Sequence, residues 1–77
     1  MIRGDLITLY RAWNKFPVSK DPRKMMVVDH FFKGECGLVI RVTSANVKFM
    51  TPRGIVGWLW RPRVELIQVE TQVESEG

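Results

Sequence analysis

A single cysteine, Cys36, and a single histidine, His30, stand in a chain of 77 residues, and that shortage limits the fold more than any other feature. A domain this small buries only about 60% of the surface its unfolded chain exposes, so it needs a staple, a partner or a very regular core. One cysteine excludes an intrachain disulfide. One Cys with one His also falls short of the four ligands of a structural zinc site. Stability is therefore left to packing or to association with another chain, and the length accommodates one core rather than two.

The rest of the composition is that of a globular domain: 45% apolar residues, three Trp and four Phe against 26% charged groups. No apolar run approaches the ~18 residues of a transmembrane span, and Met1 to Tyr10 carries no secretory apolar core. The expectation is a soluble protein of the cytoplasm, or of a phage particle assembled there, with no membrane partner. The net charge of +4 hides an asymmetry, because Glu70, Glu74 and Glu76 all lie in the last eight residues. Without them 12 basic groups face 5 acidic ones, a field that attracts polyanions or acidic protein surfaces and equally serves solubility. Residues 70–77 are expected to form an acidic, disordered tail behind a single domain spanning 1–69.

Along the chain the pattern is that of short strands. Gly4-Asp5 is a turn pair before Leu6-Ile7-Thr8-Leu9-Tyr10-Arg11, rich in β formers and expected to be a strand through Arg11 or Ala12. Trp13 to Lys24, with Pro17 and Pro22 among several cations, predicts a long loop, and such loops are often functional. Met25 to Phe32 is apolar without clear period, compatible with a helical turn but better read as a short strand folding back on the first. After Gly34 and Gly37, Leu38-Val39-Ile40-Arg41-Val42 alternates, with 38, 40 and 42 expected on one side. Thr43 to Asn46 fits a four-residue hairpin loop. Pairing Val42 with Val47 then places Ile40 opposite Phe49 and Arg41 opposite Lys48. Thr51-Pro52-Arg53-Gly54 is a turn, and Ile55 to Trp60 is a strand apolar on both faces, with Gly57 marking a bulge or a close backbone approach. Arg61-Pro62-Arg63 interrupts, and Val64 to Val69 is the last strand.

This spacing suggests an all-β chain, a small barrel of about five short antiparallel strands. Gly4-Asp5-Leu6-Ile7, Gly37-Leu38-Val39-Ile40, Val47-Lys48-Phe49-Met50, Val56-Gly57-Trp58 and Val64-Glu65-Leu66-Ile67 resemble, across residues 4–69, small SH3-like proteins of bacteriophages and marine microbes. Many members of that group have no assigned activity. The related KOW-type barrels, which often bind RNA or ribosomal and transcription proteins, share the Gly-Asp opening. The chain departs from the phage-like pattern at Met50, where Trp is common, and at Pro52-Arg53-Gly54, where an acidic residue is frequent. The resemblance implies an SH3-like barrel with a long loop between the first and second main strands. It also implies that this loop borders a ligand groove, which makes Tyr10 and Trp13 binding candidates beside an equally open core or loop-anchoring role.

Catalytic equipment is thin. A hydrolase or transferase needs a nucleophile, a base and an orienting group, or a metal in their place. Cys36 and His30 lie six residues apart across a turn, match no motif, and a small buried cysteine is the expectation. Asp21, Asp29, Glu35 and Glu65 are scattered, and no glycine-rich phosphate loop is present. The expectation is a noncatalytic protein with no cofactor, no metal and no small-molecule substrate. Basic and aromatic groups are better represented. Trp58 and Trp60 share a face if their strand is regular, and Arg61 and Arg63 follow, placing stacking planes beside guanidinium groups as a single strand of nucleic acid or a proline-rich peptide would use. Core or dimer-interface positions for the tryptophans remain open. Three functions follow: a module binding another protein or itself through an aromatic face; a nucleic-acid-binding module, favoured if Arg41, Lys48, Arg61 and Arg63 converge; and a structural accessory of a phage particle or a small subunit of a larger enzyme.

Overall fold

Alternation and turn chemistry build the centre of the molecule. A computed structural model of the chain describes residues 1–67, so the expected tail 70–77 and the end of the expected last strand lie outside the described residues. Gly37–Val42 and Asn46–Met50 form an antiparallel hairpin, closed by Thr43, whose N–H and hydroxyl both donate to the Asn46 carbonyl. Val42 pairs with Val47 and Arg41 with Lys48, in the register the loop predicts. One residue further the register shifts, and Val39 rather than Ile40 stands opposite Phe49. The bulge at Ile40 reverses the facing of everything before it. Gly37 and Val39 are buried while Leu38 is exposed, which overturns the expectation that 38, 40 and 42 share the inner side.

The described residues form seven strands rather than about five: β1 Leu6–Leu9, β2 Lys15–Asp21, β3 Lys24–Phe32, β4 Gly37–Val42, β5 Asn46–Met50, β6 Val56–Trp60 and β7 Val64–Leu66. A single 3₁₀ turn, Arg61–Arg63, with Pro62 in its first turn, separates β6 from β7. All pairings are antiparallel, in the sheet order β3-β2-β6-β5-β4-β1-β7. The chain is thus all-β, as expected, but among the described residues no pairing joins β3 to β7 and the sheet is not closed. Residues from both ends of the sheet nevertheless share one core. Ile7, Leu9 and Val64 from one end meet Val18 and Phe31 from the other, around Val39, Val47, Phe49 and Leu59, with the Phe31 and Phe49 rings 4.8 Å apart. The sheet is therefore strongly coiled.

The expected long loop over 13–24 is the largest correction, for most of it is β2. Proline normally excludes a central strand because it lacks the ladder donor. Pro17 is tolerated because its partner His30 turns its own groups away: the His30 N–H donates to Asp29 Oδ1 and its carbonyl accepts from Arg53. Pro22 sits at the hairpin tip, where Asp21 Oδ1 accepts the Arg23 N–H. β3 folds back on β2 and not on the first strand. β1 ends at Leu9 rather than at Arg11 or Ala12: the Tyr10 N–H still reaches the Arg63 carbonyl, and the Trp13 N–H then closes a turn on the Tyr10 carbonyl.

Two glycines are favoured for different reasons. Gly54 adopts φ 82° and completes the turn with its N–H donated to the Thr51 carbonyl. Gly57 allows β2 to lie against β6: a Cβ there would sit inside the Val18 side chain and 2.8 Å from the Ser19 carbonyl oxygen. The close approach expected at Gly57 is thus its role, and Ser19 pairs with Trp58 directly beside it.

Candidate functional site

Because Gly57 and Leu59 point inwards, Trp58 and Trp60 point outwards together, half-buried and half-exposed respectively. The β2–β3 tip faces them across a groove of about 380 Å³, with Trp58, Trp60 and Asn46 on one wall and Pro22, Lys24 and Met25 on the other. Arg23 and Ser19 also line it, and Ser19 holds the tip, donating to the Lys24 carbonyl and accepting from the Met26 N–H. Directly opposite Trp58 on β5 is Lys48, and opposite Lys48 on β4 is Arg41. Trp60 is opposite Asn46. A cation–cation–indole row thus runs across three strands on the outer face.

Arg61 and Arg63 part company. Arg61 Nη1 donates to the Thr43 carbonyl, and with Arg3 and Arg41 it lines a second concavity of about 560 Å³ that also presents Thr43 and Ser44. Arg63 is half-buried in a cage of rings, its guanidinium 4.5 Å from the Trp13 centroid, 4.7 Å from Phe16 and 5.1 Å from Trp60. Trp13 and Phe16 meet edge to face at 5.2 Å. The Arg63 Nε is buried without a hydrogen-bond partner among the described residues. Cation–π attraction to three rings replaces it, and Arg63 fastens the segment before β2 to the end of β6. Tyr10 is exposed beside this cage, with Arg11 over its ring. Of the four cations singled out from the sequence, Arg41, Lys48 and Arg61 are therefore neighbours, whereas Arg63 is held apart by aromatic rings.

Several residues of this surface were missed. Phe16, Arg23, Lys24 and Met25 lay in or beside the segment read as a loop, and Arg3 carried no signal in the sequence. A second cluster was also missed. Arg53 Nε donates to both oxygens of Asp29, at 3.1 and 2.9 Å, and its two terminal nitrogens grip Glu35 at 2.6 and 3.0 Å. Buried Thr51 donates to Asp29 as well. Burial raises the Asp29 pKa, but the hydrogen bonds from Thr51, the His30 N–H and Arg53 outweigh it and hold the carboxyl below its usual 3.8. Arg53 acts most strongly on Glu35, pulling it below 4.5, and its own pKa is raised in return. The cluster ties the β5–β6 turn to the end of β3. The one available signal was Arg53 itself, a cation in a turn where the resembling proteins tend to carry an acid.

Cys36 is exposed, against the expectation of a buried thiol, because it sits in the turn between β3 and β4. Among the described residues no three His, Cys, Asp or Glu side chains gather at metal-binding distance, and no helix is long and apolar enough to cross a membrane. Neither a family model, nor a curated protein, nor a solved structure matches this chain. Function is then read from the surface itself, where two features stand out. One is the row of Arg41, Lys48 and Trp58 running into the groove. The other is the outer edge of β3, where Met25, Met26, Val27 and Val28 are 75%, 51%, 48% and 40% exposed.

Proposed function

We propose that the protein is a noncatalytic SH3-like interaction module that binds another protein chain or a second copy of itself, with the free half of β3 as its docking edge. The observation that carries this reading is the run Met25–Val28. Four consecutive large apolar residues lie exposed on the last strand of the sheet, and natural edges of that kind are normally blunted by charge, proline or a cover. The other half of the same edge is covered: Arg53 takes the His30 carbonyl, and Glu35 exchanges hydrogen bonds with both polar groups of the Phe32 backbone. An added strand would therefore pair along 24–28 and stop at Asp29.

The outer face adds a second apolar surface. Leu6, Leu38, Met50 and Val56 stand opposite one another in turn across four strands, and all four are exposed. The SH3-like assignment is supported by the arrangement of β1, β4, β5, β6 and β7, five strands with one long excursion between the first and the second. Light scattering over a range of concentrations tests the reading, with Val27→Lys as the variant. Association in the parent and a monomeric Val27→Lys of unchanged melting temperature are expected. A strict monomer excludes self-association, and partners captured equally by parent and Val27→Lys exclude the edge altogether.

A further inference from the structure

Six of the twelve cations, Arg3, Arg23, Lys24, Arg41, Lys48 and Arg61, lie on or beside the outward face of β4, β5 and β6. Arg41, Lys48 and Trp58 are directly opposed across the three strands, with Asn46 and Trp60 opposed in the next row. Beyond Trp58, the groove is walled by Arg23 and Lys24; beyond Arg41, the second concavity adds Arg3 and Arg61. Among the described residues no carboxylate lines either concavity. The acidic side chains among the described residues are committed elsewhere. Asp29 and Glu35 hold Arg53, Asp5 accepts the Ile2 N–H, and Glu65 lies on β7 opposite Thr8. Two of them nevertheless approach the band: Asp21, 3.9 Å from an Arg23 side chain that is 90% exposed, and Asp5, whose partner Ile2 lines the second concavity. A surface built only for solubility would intersperse both signs.

We infer that this face is a binding site for single-stranded nucleic acid, distinct from the β3 edge although the two meet at Lys24 and Met25, with two successive bases stacked on Trp58 and Trp60 and the phosphates met by Lys48, Arg41 and Lys24. The indoles are two residues apart on one strand, about 6.7 Å along it, so each ring serves one unstacked base. Trp60 is already positioned. The Arg63 guanidinium lies against its ring at 5.1 Å, and half of its surface remains open. Rings flanked by cations match a ligand that carries a flat base and a negative charge in every unit, and the groove is sequence-tolerant because every base has a π face. An acidic peptide matches the charges but gives the indoles nothing to stack on.

The test is fluorescence anisotropy of the full chain with a labelled mixed-sequence single-stranded oligonucleotide, in DNA and RNA arms, titrated at increasing salt. Three or four phosphate contacts on a single strand predict a log–log salt slope of roughly −2 to −3. Trp60→Ala is expected to weaken binding roughly 5- to 150-fold through the lost stack, and Trp60→Phe to restore part of it. Lys48→Glu and Arg41→Glu should each weaken binding several-fold more than Lys33→Glu, the same charge change in the distant β3–β4 turn. Thermal melts of each variant separate lost binding from lost fold. Absence of binding at low salt overturns the inference. Equal effects of Lys33→Glu and Lys48→Glu, or polyglutamate competing as well as the oligonucleotide while Trp60→Ala is silent, overturn it equally, the first in favour of diffuse attraction and the second of an acidic peptide.

Discussion

Replacing Gly57 by alanine adds one methyl group at the point where the β2–β3 hairpin is fastened to the rest of the sheet. The new Cβ would overlap the Val18 side chain, stand 2.8 Å from the Ser19 carbonyl oxygen and 3.3 Å from Val28 Cγ2. Ordinary contact begins near 3.4 Å, so the Ser19 backbone must retreat by about 0.6 Å, and Val18, fully buried, has no space to turn into. Overpacking of this kind costs roughly 1–3 kcal/mol. Reduced freedom of the unfolded chain returns about 0.4–1 kcal/mol. The expected net destabilisation is about 1–2 kcal/mol, a fall of roughly 4–16 °C in melting temperature for a domain of this size. A double-mutant cycle isolates the cause. Val18→Ala alone removes two buried methyl groups and should cost about 2 kcal/mol. In the double variant part of the Gly57→Ala cost disappears, because the overlap with Val18 is gone while that with Ser19 remains, giving a coupling of about 0.5–1.5 kcal/mol. Denaturant melts of the four proteins measure it. A Gly57→Ala protein as stable as the parent, or effects that add within error, would refute the close approach of β2 to β6 and with it the groove beside Trp58.

The Arg53 cluster gives stability a defined pH dependence. Asp29 and Glu35 have folded pKa values below their unfolded ones, so the unfolded chain binds more protons as the solution is acidified. Their contribution is complete above about pH 4.5 and is lost as the pH falls through their folded values. Arg53→Ala should therefore melt below the parent at pH 7, and the two curves should converge as the pH falls below the folded values of both carboxyls; a constant gap would show that Arg53 acts through packing. Thr51→Val keeps the shape of a buried side chain but strips Asp29 of a donor, an expected loss of about 1–3 kcal/mol in denaturant melts. Phe49→Ala empties the place of a fully buried ring packed on Phe31, at about 3–5 kcal/mol. A chain of this length has roughly 4–11 kcal/mol in total, so its amide spectrum should collapse near physiological temperature.

Where the sequence alternates, it was legible. The β4–β5 loop fixed the pairs Val42–Val47 and Arg41–Lys48, and Gly57 announced its close contact, because period-two patterning and a missing side chain act locally. The bulge at Ile40 left no mark, since Leu38, Val39 and Ile40 are equally apolar and any of them could face inwards. The β2 strand was illegible for a different reason. Pro17 is a valid breaker unless its partner needs no donor, and that depends on Asp29 and Arg53, which are 12 and 36 residues away. The candidate site divides in the same way: Trp58, Trp60, Arg41 and Lys48 are candidates from their strands alone, while Arg23, Lys24 and Met25 join them only once the hairpin is folded over β6. Arg63 had the right neighbours for a stacking cation, but its rings belong to its own chain.

The hairpin explains why two different surfaces can coexist on so small a core. Its inner half contributes Val18 and Phe31 to the shared cluster and is fastened by the Ser19–Trp58 pair and the Arg53 cluster, so β3 is held firmly at Asp29 and beyond. Its tip extends past the last of those contacts, and Ser19 keeps the two strands together there through its hydroxyl. Met25 to Val28 are therefore displayed on a formed strand rather than exposed by fraying, and an ordered strand spares a pairing partner most of the conformational entropy of ordering it. The same geometry places Arg23 and Lys24 across from Trp58, so the groove and the free edge adjoin at Lys24 and Met25. An incoming strand and a stacked polyanion would thus meet at these two residues, and occupancy of one surface should weaken binding at the other.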